Sequence, residues 1–143
     1  MPASLGRRVG WRPYGPAVTD DILTHRPTVG DWLVIDAALD NLAAVERVGG
    51  DEAAAERAGR LREVGWAANR VHPWRGSGPV GWPPRDDALP INLTRADWEF
   101  VRGAASRALE VSRQIVDRGP SELVRESQHE DVRLLEGVLA RLP

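Results

Sequence analysis

The first half of this chain recurs in the second half, and this internal repeat constrains the fold more than any other feature. The recurring motifs keep the same order and fill nearly the whole length. They pair residues 11–17 with 74–80, residues 20–23 with 86–89, residues 28–32 with 94–98 and residues 60–67 with 133–140. We interpret the pattern as a tandem duplication, which predicts a single domain, residues 1–143, made of two repeats at about 8–71 and 72–143.

Each repeat has the sequence signals of a loop followed by two helices. Thr28 and Thr94 are both followed three residues later by an aspartate, which predicts a capping box at the start of a helix. Apolar residues at helical spacing follow each threonine, and Gly49-Gly50 and Gly119-Pro120 are predicted to end these helices. The second helix of each repeat is predicted to begin after Asp51 and after Ser121.

Two such hairpins each leave an apolar face uncovered, so packing them together is the expected solution. The sequence therefore predicts an all-α fold, a tandem-duplicated loop plus helical hairpin that is four-helix-bundle-like, with pseudo-two-fold symmetry and long Pro/Trp-rich loops. Trp32 and Trp98 begin the apolar stripes and are expected in the core. Small residues in the second and third helices predict that these two helices pack closely.

The spacing between the repeats predicts a longer second hairpin. Thr28 matches Thr94 at the start of the hairpins, and Arg60 matches Arg133 near their ends, so the offset between the repeats grows along the hairpin. The extra residues divide between the two arms, and each share is close to one helical turn of about 3.6 residues. We therefore expect one more turn in each arm of the second hairpin.

The composition excludes several classes of chemistry. All 19 basic residues are arginine and there is no cysteine, so Schiff-base lysines, thiolate nucleophiles and thiolate metal sites are ruled out. The arginine bias is typical of a GC-rich genome, such as that of an actinobacterium or one of its phages. The opening residues contain no apolar run of signal-peptide length, and residues 32–35 are too short a run to span a bilayer, so we expect a cytoplasmic protein with no membrane partner.

The paired loops carry the residue types that dominate protein interaction hot spots, tryptophan and arginine. The predicted binding residues are Trp11, Arg12 and Tyr14 in the first loop and Trp74, Arg75 and Trp82 in the second. These residues favour a non-enzymatic protein-binding or accessory function with a protein partner. In the alternative structural interpretation, each tryptophan closes one end of the bundle and each arginine pairs with the acidic pair that follows its loop. A homodimer is a further alternative.

Two other functions stay open at this level. A small nucleic-acid-associated protein would use the loop arginines, namely Arg7, Arg8, Arg12, Arg70, Arg75 and Arg85. A small enzyme would use a carboxylate-lined pocket between the repeats, formed by Asp20, Asp21, Asp86 and Asp87.

No catalytic residue, cofactor or metal is predicted. Glu126 and His129 have the spacing of a di-iron ligand pair, but the first repeat lacks the matching pair, and the glycines of residues 76–81 lack the strand that a dinucleotide loop requires.

Overall fold

The computed structural model describes residues 21–143, and the first loop with Trp11, Arg12 and Tyr14 lies outside this range. Four helices and two short strands form the described chain. In chain order they are β1 (Ile22–His25), α1 (Val29–Gly49), α2 (Glu52–Arg70), a 3₁₀ turn (Pro79–Gly81), β2 (Ile91–Thr94), α3 (Arg95–Arg118) and α4 (Glu122–Arg141). The predicted all-α, bundle-like architecture is confirmed in its helices, and the strands were not predicted.

Side-chain caps explain where the four helices begin. The Thr28 and Thr94 hydroxyls each accept a hydrogen bond of 3.0 Å, from the backbone N–H groups of Asp31 and Asp97. Asp51 and Ser121 cap α2 and α4 in the same way, as predicted. Only the threonine half of each predicted capping box forms, because the two box aspartates instead accept hydrogen bonds from distant arginines.

Helix α1 is the centre of the packing, since it lies against α2, α3 and α4. Trp32 and Trp98 are buried in the core, as predicted. The predicted close packing of α2 against α3 is wrong, because α2 packs extensively on α1 and has few contacts with α3. At Gly65 a β-carbon would lie 1.9 Å from Nε1 of Trp32, so the indole occupies the space that a larger residue would need.

The two hairpins differ in length in the predicted direction. Helix α3 has 24 residues against 21 in α1, which is close to the additional turn that the spacing predicts. Helix α4 has 20 residues against 19 in α2, but its extra residues lie where the spacing predicts: the segment from the helix start to the matched arginine is Glu122–Arg133 in α4 and Glu52–Arg60 in α2, so the former is longer by close to one turn. One further residue of the insertion lies in the connection, which is 119–121 between α3 and α4 against 50–51 between α1 and α2.

Strands β1 and β2 form an antiparallel ribbon that joins the two predicted loops. Ile22 pairs with Thr94 and His25 pairs with Ile91. The ladder continues beyond the named strands, because Arg95 N–H donates to the Asp21 carbonyl at 3.1 Å and Val29 N–H donates to the Asp87 carbonyl at 2.8 Å. The ribbon therefore ties the start of each long helix to the loop of the other half of the chain.

The ribbon has one buried and one exposed face. Leu89, Ile91 and Leu93 point into the core, while Pro90 and Asn92 between them are exposed. The pairing is symmetric about the His25–Ile91 pair, whose two members occupy equivalent positions in the two repeats. In the same alignment of the repeats, Ile22 and Thr94 are equivalent to Ala88 and Thr28, and these two residues also pair.

Candidate functional site

The loop after α2 presents an exposed tryptophan. The Trp74 side chain is 61% exposed, and Arg75 beside it is exposed too. Backbone bonds hold this part of the loop in tight turns, with Arg75 N–H donating to the His72 carbonyl and Ser77 N–H donating to the Trp74 carbonyl, both at 3.2 Å. The turns hold the backbone at Trp74, whose indole the core does not use.

Trp82, which was also a predicted binding residue, lies in the core instead. It is 2% exposed, and its ring centre is 4.6 Å from that of Trp66 on α2. Gly78 N–H donates to the Trp82 carbonyl at 2.7 Å, and a β-carbon at Gly78 would lie 2.0 Å from the Pro83 carbonyl oxygen. The structure thus separates the predicted residues of this loop into a surface pair, Trp74 and Arg75, and a core anchor, Trp82.

A groove of about 560 Å³ runs beside this loop, between α2 and the exposed face of the ribbon. Most of its lining is apolar, and its polar groups come from Arg26, His72 and Asn92. The lining residues are Arg26, Val64, Ala67, Ala68, Val71, His72, Pro73, Ala88, Pro90 and Asn92. Since Val71 is 82% exposed and next to Pro73 and Trp74, apolar surface continues from the groove onto the loop.

His72 lines the groove and also bonds to the backbone of the loop. Its side chain is 11% exposed, and its Nδ1 accepts a hydrogen bond of 3.0 Å from the Trp74 backbone N–H. An accepting Nδ1 places the proton of the neutral ring on Nε2, which lies 3.9 Å from the Asp87 carboxylate. His72 therefore holds the backbone of the loop at Trp74 through its Nδ1.

The predicted carboxylate pocket does not form around Asp21 and Asp87. Asp21 lies at one end of the ribbon and Asp87 lies opposite Val29 at the other end. Eight residues separate Asp21 from Val29, and an extended strand rises about 3.3 Å per residue. Asp20 lies outside the described residues, and Asp86 is exposed. No cluster of three metal-ligating side chains occurs in residues 21–143, and His129 is exposed.

Several arginines of the loop and ribbon have no described acidic partner. Within residues 21–143, no carboxylate lies within 4.0 Å of the guanidinium groups of Arg26, Arg75 or Arg85. Arg70 is 3.7 Å from Glu63. The structural interpretation, in which Arg75 pairs with the acidic residues after its loop, is therefore wrong for this arginine.

The buried charges lie elsewhere and stabilise the packing. Burial opposes the ionisation of Asp97, yet hydrogen bonds from Arg60 and Arg57 outweigh it and hold the pKa of this carboxyl below its ordinary value. Burial lowers the pKa of His25, which lies edge-on to Trp98 with ring centres 5.4 Å apart. These groups connect elements of the fold, and neither lines the groove.

Arg26 and Asn92 are site residues that the sequence analysis missed. The alternation of apolar and polar residues from Leu89 to Leu93 is typical of a half-buried strand and is the signal that would have found Asn92, whereas Arg26 enters the site only through the pairing of the ribbon. Comparison of the chain with protein-family models, with curated proteins and with solved structures found no match. Among the described helices, none is long and apolar enough to cross a membrane.

Proposed function

We propose that this protein is a non-enzymatic binding protein and that the Trp74–Arg75 loop, with the adjacent groove, contacts another protein. One observation carries the proposal: a tryptophan that is 61% exposed lies on a loop whose backbone is held in tight turns, next to residues that line a mostly apolar groove. Exposed apolar surface of this kind marks interaction sites, and tryptophan and arginine contribute most strongly to them.

The experiment compares matched surface variants of the full chain in affinity capture from a lysate of the source organism. The pair Trp74→Ala and Arg75→Ala should lose a stoichiometric protein partner, while Leu123→Ala with Arg118→Ala should retain it, because those residues are exposed at the far end of the α3–α4 hairpin. Circular dichroism and thermal unfolding establish that every variant is folded. Equal capture by both variant pairs, or no capture by the folded wild type, would count against this function.

A nucleic-acid function is the second candidate, supported by arginines that have no acidic partner among residues 21–143. Arg75 follows the exposed Trp74 in the chain and Arg26 lines the groove, and guanidinium groups together with an indole can bind a phosphate and stack on a base. Its signature is an affinity for single-stranded DNA or RNA that falls steeply with added salt, because bound phosphates release counterions. Affinity that does not change with salt would exclude it.

We also propose that the two halves arose by duplication and retain pseudo-two-fold symmetry. Two observations support this idea: the Thr28 and Thr94 caps have nearly the same backbone angles, φ −70° and ψ 160° against φ −67° and ψ 160°, and the pairing of the ribbon is symmetric. The duplication would make Trp11, Arg12 and Tyr14 a second binding surface. Adding Trp11→Ala to Trp74→Ala should then weaken partner capture beyond either change alone.

The cytoplasmic location stays a prediction of the sequence.

A further inference from the structure

The groove between α2 and the ribbon contains one permanent charge, the guanidinium group of Arg26. Of the ten described residues that line the groove, none is acidic and no other is an arginine. Arg26 is exposed, and within residues 21–143 no carboxylate lies within 4.0 Å of its guanidinium group. Among the described residues, the positive charge of the groove is therefore not neutralised.

Arg26 and Asn92 are neighbours on the exposed face of the ribbon. The register that pairs Thr24 with Asn92 sets Arg26 opposite Pro90, so Arg26 is diagonal to Asn92. Diagonal neighbours in an antiparallel pair are about 7–8 Å apart, which a long side chain can span. Both side chains line the groove, so one ligand group can contact both.

These two side chains offer hydrogen-bond donors to a ligand. The Thr24 hydroxyl donates to Oδ1 of Asn92 at 2.6 Å, which engages the amide oxygen and leaves the amide N–H groups to a ligand. The Arg26 guanidinium has N–H donors and no acceptor. Adjacent donors favour a ligand with acceptor oxygens, and the positive charge favours an anion.

The rest of the groove is suited to an apolar body. Four residues of α2 form its apolar wall, namely Val64, Ala67, Ala68 and Val71. The nearest carboxylate to its other end belongs to Asp87, which is 3.9 Å from Nε2 of His72. Asp87 is five residues before Asn92, or about 16 Å along an extended strand, so the negative charge lies far from the Arg26 end.

A carboxylate on an apolar chain or ring matches this arrangement. A neutral ligand would partly desolvate Arg26 without a partner for its charge, and a phosphate ester would bring about two negative charges to one guanidinium group. A carboxylate carries a single charge, and its two oxygens match the planar guanidinium group. The volume of about 560 Å³ is within the range of small-molecule sites, about 300–1,000 Å³.

We propose that the groove binds a small amphipathic carboxylate, with the carboxylate at Arg26 and Asn92 and the apolar part along α2. The site goes beyond the proposed protein binding, because it does not use Trp74 or Arg75, which do not line the groove. A partner that contacts the Trp74 loop would then meet the ligand beside it. Ligand binding is measured on the purified chain, so it holds or fails whatever the capture experiment gives.

Isothermal titration calorimetry of the full chain compares octanoate with octanamide, which have the same chain and differ in charge. The wild type should bind octanoate at least about fivefold more tightly. Arg26→Gln should bring the ratio of the two affinities close to one and leave octanamide binding unchanged. The matched control Arg118→Gln, exposed at the far end of α3, should retain the wild-type ratio. Equal affinities in the wild type, or an undiminished ratio in Arg26→Gln, would overturn the proposal.

Two further measurements test the apolar wall and the kind of ligand. Ala67→Phe, at an exposed position of the wall, should weaken octanoate and octanamide alike, and NMR amide shifts on adding octanoate should include Asn92 and Ala68 but not Val48. No binding of octanoate, or shifts confined to residues outside the groove, would exclude the site. Tighter binding of the blocked peptide acetyl-Leu-Glu-Leu-amide than of octanoate would overturn the small-molecule assignment in favour of an acidic protein segment.

Discussion

At the scale of single residues, burial assigns different roles to tryptophans that the sequence presents alike. Trp74 and Trp82 belong to the same loop, yet Trp74 is mostly exposed and Trp82 packs on Trp66 in the core. The difference comes from where the backbone of the loop is fixed. Gly78 and Pro83 hold the second part of the loop against the core, and the turn at His72 holds the first part away from it.

This difference predicts opposite effects of the same substitution. Trp82→Ala should lower the free energy of unfolding by about 3–5 kcal/mol, because it removes a buried indole and leaves a cavity. Trp74→Ala should change it by less than about 0.5 kcal/mol, as is usual for exposed positions. Urea denaturation of both variants gives the two values. A comparable loss in Trp74→Ala would mean that this indole is structural, and its proposed binding role would lose its main support.

A second prediction at this scale concerns Asp97. Its pKa is lowered in the folded protein, so the stability that it contributes is present above the unfolded-state pKa of about 3.9 and is lost as the pH falls through the folded-state pKa. Asp97→Asn should therefore cost about 1–3 kcal/mol at pH 7, and this cost should shrink below about pH 4. Chemical denaturation at several pH values measures it.

The control for this experiment is Asp117→Asn. Asp117 is exposed near the end of α3 and has no arginine within ion-pair distance among the described residues, so little change is expected at any pH. If the cost of Asp97→Asn were the same at pH 3 and pH 7, its contacts with Arg57 and Arg60 would not depend on the charge.

At the scale of elements, close approach between α1 and α2 depends on a glycine. The Trp32 indole occupies the space beside Gly65, whereas Gly59 on the same helix has no atom within 4 Å of the position of a β-carbon. The two glycines therefore lie in one helix under the same local propensity but in different surroundings. Helix propensity alone would favour alanine at both sites by about 1 kcal/mol.

Alanine at the two sites should act in opposite directions. Gly65→Ala should destabilise the fold by about 1–3 kcal/mol, because the new methyl group displaces Trp32. Gly59→Ala should stabilise it by up to about 1 kcal/mol through helix propensity. Thermal and urea unfolding of both variants measures the change in the free energy of unfolding. A stabilised Gly65→Ala would contradict the observed packing of α1 on α2.

At the scale of the whole molecule, the core is distributed unevenly between the hairpins. Helix α1 contributes seven buried residues, whereas α4 contributes only Leu135 and Val138, and no residue of its first half is buried. The free energy of local opening depends on the apolar contacts that opening breaks. The end of the second hairpin therefore opens at lower cost than the centre of the bundle.

Hydrogen exchange should reveal this gradient. Amides of residues 122–131 should exchange faster than those of residues 33–43, because none of the former residues is buried and their opening exposes no core side chain. Exchange measured by mass spectrometry or NMR on the folded chain gives the comparison. Equal protection in the two segments would show that the first half of α4 is held by contacts beyond those of the described chain.

The sequence by itself determined the helices and most of their ends, because caps and apolar periodicity are local signals. Thr28, Asp51, Thr94 and Ser121 all cap the helices that they were predicted to cap. Trp32 and Trp98 were also placed correctly in the core. Each of these predictions depends on residues that are close together in the chain.

Only the tertiary structure decided the ribbon, the helix pairing and the candidate site. The two short strands, one of them directly after Pro90, give weak local signals, and each finds its hydrogen-bond partners in the other half of the chain. The groove arises because the ribbon brings Arg26 and Asn92 beside α2. The exposure of Trp74 and the burial of Trp82 follow from packing against elements distant in sequence, which no local pattern specifies.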